Sequence, residues 1–235
     1  MQLDKSSFTI PNKRNEALEE LIRENSTCVT YPAKRVFLEP GMEPQGVYYI
    51  AEGRTRHYMM AGDGTEKILY TLSAGWFYGE TPVSLQEPTG LFSKAEVKTQ
   101  IYIIPLRTYE HLVDTNKMFR DAIMENILKK MLILRHEIEN LTFNSCKDRL
   151  KRLFCSTADT ERLIDGGWYK LKVHYTQYEL STIIGGARVT ISKLINELCD
   201  EGFIRMLNRN VQVNQDRMLM GHSTYPLAIS KDSIV

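Results

Sequence analysis

Hydrophobic and polar positions follow three successive patterns along this chain. Near the start, Asn15 to Glu24 places Ala17, Leu18, Leu21 and Ile22 on one face at helical spacing, which predicts a short amphipathic helix. From Cys28 to about Pro105 the pattern shortens. Val47-Tyr48-Tyr49-Ile50, Arg54 to Met60, Lys67 to Leu72, Lys94 to Val97 and Ile101 to Ile104 are rich in β-branched and aromatic residues. Glu39-Pro40-Gly41, Glu52-Gly53, Gly62-Asp63-Gly64, Ala74-Gly75 and Pro88-Thr89-Gly90 separate them as turns. Gly62-Asp63-Gly64 predicts a hairpin tip between Arg54–Met60 and Lys67–Leu72. Many short strands at near-regular spacing predict a small antiparallel barrel or jelly roll.

After Pro105 the pattern lengthens. Asn116 to Leu141 contains neither proline nor glycine and reads as one long helix. Ile127, Met131, Leu134, Ile138 and Leu141 recur at alternating spacings of four and three, a heptad seam suited to a dimer coiled coil. A second apolar set, Phe119, Leu128 and Leu132, is expected to cover the barrel. Ser145 to Ser156 predicts a further helix, and Gly166-Gly167 precedes a short strand, Trp168 to Val173. The tail after Met218 lacks clear periodicity and is expected to be loosely ordered.

The most informative stretch is Tyr175 to Val213. Thr176-Gln177-Tyr178-Glu179 matches a capping box at a helix start. That helix runs through Leu180, Ile183 and Ile184 and stops at Gly185-Gly186. A second helix, Ala187 to about Glu201, divides into an apolar face (Ile191, Leu194, Ile195, Leu198) and an opposed face (Arg188, Val189, Ser192, Lys193, Asn196). Gly202 and two β segments, Phe203 to Leu207 and Val211 to Val213, follow around Asn208-Arg209-Asn210. Helix, glycine turn, helix and β-hairpin form the layout of a winged helix-turn-helix.

Such a helix can lay its free face in the major groove of double-stranded DNA. Arg188 is suited to a bidentate pair with guanine, and Val189 to a thymine methyl. Ser192 and Asn196 suit base edges or phosphate; Lys193, Thr176 and the wing residue Arg209 suit positioning contacts. The alternative, an ordinary helical hairpin with a solvated face, does not account for capping box, turn, opposed faces and wing in one order.

Composition narrows the classes. The chain has 235 residues, 43% hydrophobic and 25% charged, which excludes wholesale disorder and suits two domains. No apolar run is long enough for a membrane span, and no signal-peptide core follows the N-terminus, so a cytoplasmic protein is expected. Four scattered cysteines (Cys28, Cys146, Cys155, Cys199) suggest reduced thiols, and Cys146, Cys155 and Cys199 fall on predicted helices, where a redox switch is the secondary reading. Splitting the charge at Leu141 gives 17 basic against 19 acidic residues before it and 13 against 10 after, a mildly basic C-terminal part. A jelly-roll metal enzyme needs clustered histidines and carboxylates. The barrel stretch has one histidine, His57, and Glu80 has no evident acid–base partner, so no catalytic residues, metal site or cofactor are expected.

This order of parts resembles the cyclic-AMP receptor protein and fumarate-nitrate reduction regulator (CRP/FNR) family of transcription regulators. The resemblance rests on Gly75-Trp76-Phe77-Tyr78-Gly79-Glu80, the long helix, and the run from Leu180 to Leu194, and covers about Phe8 to Val213. It implies an α+β chain with an N-terminal antiparallel β-roll like the cyclic-nucleotide-binding jelly roll (1–115), a long dimerisation helix (116–141), a C-terminal winged helix-turn-helix (142–217) and a tail (218–235). It also implies a homodimer on a two-fold promoter site, with RNA polymerase as a further candidate partner, and an effector held between roll and helix. The family's recognition-helix contacts map onto Arg188, Val189, Ser192 and Lys193, with Val189 standing where many members carry glutamate.

Cyclic-nucleotide binders of the family place an arginine, then serine or threonine, after the Gly-Glu pair to hold the phosphate. Pro88-Thr89-Gly90-Leu91-Phe92 has no arginine, which disfavours cyclic AMP. The candidate effector residues are Gly79, Glu80, Thr89, Tyr70, Tyr78, Phe92, Leu128, Leu132 and Arg135, the last a substitute cation from another wall. The Pro-Thr-Gly turn and Val-Thr-Ile-Ser run also resemble family members that sense halogenated aromatic acids. An iron–sulfur cluster has only Cys28 in the barrel half to hold it, and His57 is a lone candidate haem ligand. A cyclic-AMP-responsive regulator and a metal-dependent jelly-roll enzyme remain the alternatives at this stage.

Overall fold

A computed structural model describes residues 10–220, apart from 11, 165 and 209. The wing residue Arg209 and the tail from 221 onward therefore lie outside the described residues. The chain forms two compact units, one ending at Asn144 and the other beginning at Ser145.

The first unit opens with α1 (Glu16–Glu24), capped by the Asn15 side chain, which accepts from the Leu18 N–H at 3.1 Å. Eight strands follow: β1 (Thr27–Tyr31), β2 (Val36–Leu38), β3 (Gly46–Glu52), β4 (Arg54–Met60), β5 (Glu66–Ser73), β6 (Phe77–Tyr78), β7 (Phe92–Ala95) and β8 (Thr99–Pro105). They make two antiparallel four-stranded sheets, ordered β1-β8-β3-β6 and β2-β7-β4-β5. The hairpin expected around Gly62-Asp63-Gly64 is the β4–β5 connection, with Met60 paired to Glu66.

Two helices in this unit escaped the periodicity reading. The short α2 (Glu80–Leu85) follows β6, and α3 (Leu106–Thr115) starts directly after Pro105 with Tyr109 and Leu112 buried. Gly79 makes the α2 start: its φ is 84°, and a Cβ there would stand 2.9 Å from the Tyr48 ring.

The long helix α4 (Lys117–Phe143) lies on the roll. Its buried residues are Phe119, Ile123, Asn126, Lys130, Ile133 and Glu137, spaced four and three. This corrects the expectation for Leu128 and Leu132, which are 53% and 40% exposed. At about 100° per residue, Leu128 stands roughly half a turn from Phe119, so the two cannot share a face. Phe119 anchors the packing, fully buried and edge-on to Phe77 (5.7 Å) and Tyr109 (6.1 Å). Of the heptad set, Met131, Ile138 and Leu141 are exposed, whereas Ile127 and Leu134 are half-buried.

The second unit contains α5 (Cys146–Thr157), β9 (Ala158–Ile164), β10 (Trp168–Leu171), α6 (Gln177–Ile184), α7 (Arg188–Asp200), β11 (Ile204–Leu207), β12 (Asn210–Asn214) and α8 (Gln215–Met220). Its four strands run in the order β11-β12-β10-β9, and β11–β12 is the expected wing hairpin. Strand β9 was not anticipated; its exposed, charged sequence Asp159-Thr160-Glu161-Arg162 gives no alternation.

Truncating Phe119 to alanine should cost about 3–5 kcal/mol of stability in urea unfolding, with leucine recovering much of the loss. A loss below about 1 kcal/mol would show that α4 does not depend on this anchor.

Candidate functional site

The roll interior carries a polar group where an apolar core would be expected. β6 is the edge strand of its sheet, so one side of its backbone lacks a partner strand. Side chains of α4 take that place. The Phe77 N–H donates to Asn126 Oδ1 at 3.1 Å, and Lys130 Nζ donates to the Phe77 carbonyl at 3.0 Å. Lys130 Nζ also contacts Glu80 Oε1, and both side chains are buried. Burial pulls the Lys130 ammonium below its ordinary pKa, while Glu80 opposes that shift. The other Glu80 oxygen and the Tyr78 hydroxyl, both buried, have no hydrogen-bond partner. Groups of that kind are rare and mark places that a ligand or water can satisfy.

His57 lies in the same interior, 2% exposed. Its ring packs 5.1 Å from Tyr70 and 4.9 Å from Tyr78. Thr55 Oγ1 is 2.9 Å from its Nε2, and Ser93 Oγ is 3.0 Å from its Nδ1. Hydroxyls serve as donor or acceptor, so this cradle suits a neutral imidazole in either tautomer. Burial, helped by the nearby Lys130 charge, lowers the His57 pKa to about 3. Lower along α4, Glu137 pairs with Lys67 of β5 at 2.5 Å.

The candidate effector residues divide. Tyr70, Tyr78, Glu80 and the adjoining Gly79 belong to this interior. Thr89 is buried but bonds to Leu91, Gly41 and Met42, none of them part of the polar group. Phe92 stacks on Tyr58 at 5.1 Å instead of facing His57. Leu128, Leu132 and Arg135 are exposed and do not line the interior, because the face of α4 turned to the roll is the one that carries Lys130. The helix cation buried in the interior is Lys130, whereas Arg135 is exposed. Its signal was present in the sequence: Asn126, Lys130 and Glu137 interrupt an apolar stripe at core spacing.

The second unit presents the predicted reading face. Thr176 and Glu179 form the capping box: the Thr176 hydroxyl accepts from the Glu179 N–H at 3.1 Å, and Glu179 Oε2 accepts from the Thr176 N–H at 2.8 Å. Thr176 is thus committed to the helix start. Gly185 closes α6 at φ 75°. In α7, Ile191, Ile195 and Leu198 are buried, whereas Arg188, Val189, Lys193 and Asn196 are exposed and Ser192 is half-exposed. The Arg188 guanidinium sits 4.7 Å above the Tyr178 ring, and the Ser192 hydroxyl donates to Gln177 Oε1 at 3.0 Å. Neither α6 residue was anticipated as part of the reading face.

A roll that buries a polar group, a long helix along it and a winged helix-turn-helix define a DNA-binding regulator with a sensory domain. Comparison with known proteins agrees. Residues 28–116 match the cyclic nucleotide-binding domain family model, and residues 148–220 match the Crp-like helix-turn-helix domain. The cAMP-activated global transcriptional regulator CRP of Haemophilus influenzae is 22% identical over 187 residues, covering 78% of this chain and 82% of the relative. Among solved structures, the c-di-GMP-responsive global regulator CLP of Xanthomonas campestris superposes with a TM-score of 0.73 at 20% identity, covering 85% and 99% of the two chains. CprK complexed with OCPA gives 0.66 at 19%, covering 88% and 93%. The chain belongs to the CRP/FNR family of effector-binding transcription regulators, which are not enzymes. Among the described residues there is no group of three or more metal-ligating side chains, and no helix is long and apolar enough to cross a membrane.

The His57 shift has a definite sign. Its folded pKa lies below the unfolded value near 6.5, so the stability it supports is present above about pH 6.5 and falls as the pH drops toward 3. Acidification from pH 7 to 5 should therefore cost about 2 kcal/mol through His57. His57→Gln should flatten the stability profile by that amount; an unchanged slope would place a charged His57 in the folded chain.

Proposed function

We propose that this chain is a cytoplasmic, homodimeric transcription regulator that binds a two-fold-symmetric promoter site under the control of an anionic aromatic effector seated between the roll and α4. The observation that carries the effector class is the buried Lys130 ammonium, shared between Glu80 and the Phe77 carbonyl beside the rings of His57, Tyr70 and Tyr78. An acidic oxygen suits the ammonium, a ring suits the aromatic wall, and a donor on the same molecule suits the unpartnered Glu80 oxygen. Cyclic AMP suits the site less well. Residues 88–92 contain no arginine for its phosphate, and the one interior ammonium among the described residues is already engaged by a carboxylate. The CprK likeness is compatible with this reading, since that protein was solved with OCPA.

The exposed face of α4 supports the dimer. Met124, Leu128, Met131 and Ile138 are 53–64% exposed on one side of a 27-residue helix, a seam of the length coiled-coil dimers use. In the proposed dimer two copies of α7, led by Arg188, would meet major-groove faces roughly 34 Å apart. Effector binding then shifts the population between dimer geometries, only one of which spaces the reading helices for DNA.

Adding o-chlorophenolacetic acid should raise the apparent melting temperature, and Lys130→Met should abolish the rise. Stabilisation by cyclic AMP alone would overturn the effector assignment. In sedimentation, Met131→Glu together with Ile138→Glu should yield monomers that keep the roll's circular dichroism, because neither residue packs on the roll. A dimer that survives both charges would remove α4 from the interface.

A further inference from the structure

We infer that Gln177 and Tyr178, the first two residues of α6, are positioning residues for DNA reading that hold Ser192 and Arg188 of α7 in place before DNA arrives. This rests on the assignment of α7 as the reading helix. The two reading residues are four apart and share a face of α7. Each is gripped by the first turn of α6: the Arg188 guanidinium lies 4.7 Å above the Tyr178 ring, and the Ser192 hydroxyl donates to Gln177 at 3.0 Å. That first turn is itself fixed, since the capping box of Thr176 and Glu179 brackets both gripping residues. The exposed helix start and the reading face are therefore built as one piece.

The physical gain lies in the arginine. A free arginine on a helix surface samples many rotamers, and a bidentate pair with a base edge must freeze them. Stacking on Tyr178 removes part of that freedom in the unbound protein and leaves the edge of the planar guanidinium, with its donors, uncovered. Lys193 and Asn196, on the same side of α7, have no such grip among the described residues, which suits them to phosphate or adaptable contacts. The Gln177 amide acts alike on Ser192, because accepting its proton leaves the hydroxyl oxygen as an acceptor toward DNA.

The test uses the full-length chain and a duplex that it enriches from a random-sequence pool. The Arg188→Ala variant first identifies the base pair at which discrimination is lost. Tyr178→Ala should then weaken binding to the enriched duplex about two- to fivefold and erode preference at that same base pair. Tyr178→Phe, which keeps the ring, should retain both. In an Arg188→Ala background, Tyr178→Ala should have no further effect on preference. Equal losses in Phe and Ala variants would make the Tyr178 hydroxyl a direct DNA contact and overturn the proposal. So would a loss of affinity that persists without Arg188. If Arg188→Ala changes no base preference, the assignment of α7 as base reader fails first, and the positioning role with it.

Discussion

The ammonium of Lys130 inside the roll is the contact on which the sensory half of this molecule depends. It ties α4 to two neighbours at once, the Glu80 carboxylate at the start of α2 and the Phe77 carbonyl on the edge strand β6. Both charges give up water to meet, at an effective cost of several kcal/mol each, so the pair contributes less net stability than well-packed hydrophobic residues would. Removing one partner is a different matter, because the survivor is left buried and uncompensated. The junction is therefore tolerant of a substitute charge and intolerant of a missing one.

The DNA-binding half depends on backbone chemistry more than on charge. Its reading helix is fixed by three local devices: a capping box that starts α6, a left-handed glycine at 185 that ends it, and the buried row Ile191, Ile195 and Leu198 that seats α7. The modest basic excess after Leu141 adds only weak electrostatic attraction to phosphates. Contacts from an ordered face must then supply a larger share of the affinity, and the stacked Arg188 belongs to such a face.

Legibility from sequence followed the strength of local signals. The α6–α7 region was readable almost residue by residue, since capping, glycine and amphipathic spacing are each encoded within four positions. The roll was readable as a class, because β-branched runs between turn residues specify strands but not their partners. The short α2 and α3 were not, as six- and ten-residue helices after a strand end show little periodicity. On α4 the reading failed in an instructive way. The two apolar sets left out Ile123 and Ile133, and Asn126, Lys130 and Glu137 were passed over. The face that meets the roll is half polar, with Asn126, Lys130 and Glu137 among Phe119, Ile123 and Ile133, so hydrophobicity alone pointed away from it. Polar residues at core spacing carry information about a seam that hydrophobicity leaves out.

That mixed face has a counterpart on the other side of the same helix. Phe119, Ile123, Asn126, Lys130, Ile133 and Glu137 meet the roll, while Met124, Leu128, Met131 and Ile138 face away from it. A hydrogen-bonded helix does not let one face move without the other. A shift or roll of α4 against β6 would turn the apolar seam with it. If that seam joins two copies of the chain, a sub-ångström change at one ammonium alters how two long helices cross, and packed helix pairs answer such changes by switching between arrangements instead of deforming smoothly. A buried cation carried by the long helix itself, rather than by a loop of the roll, joins the two faces of that helix directly.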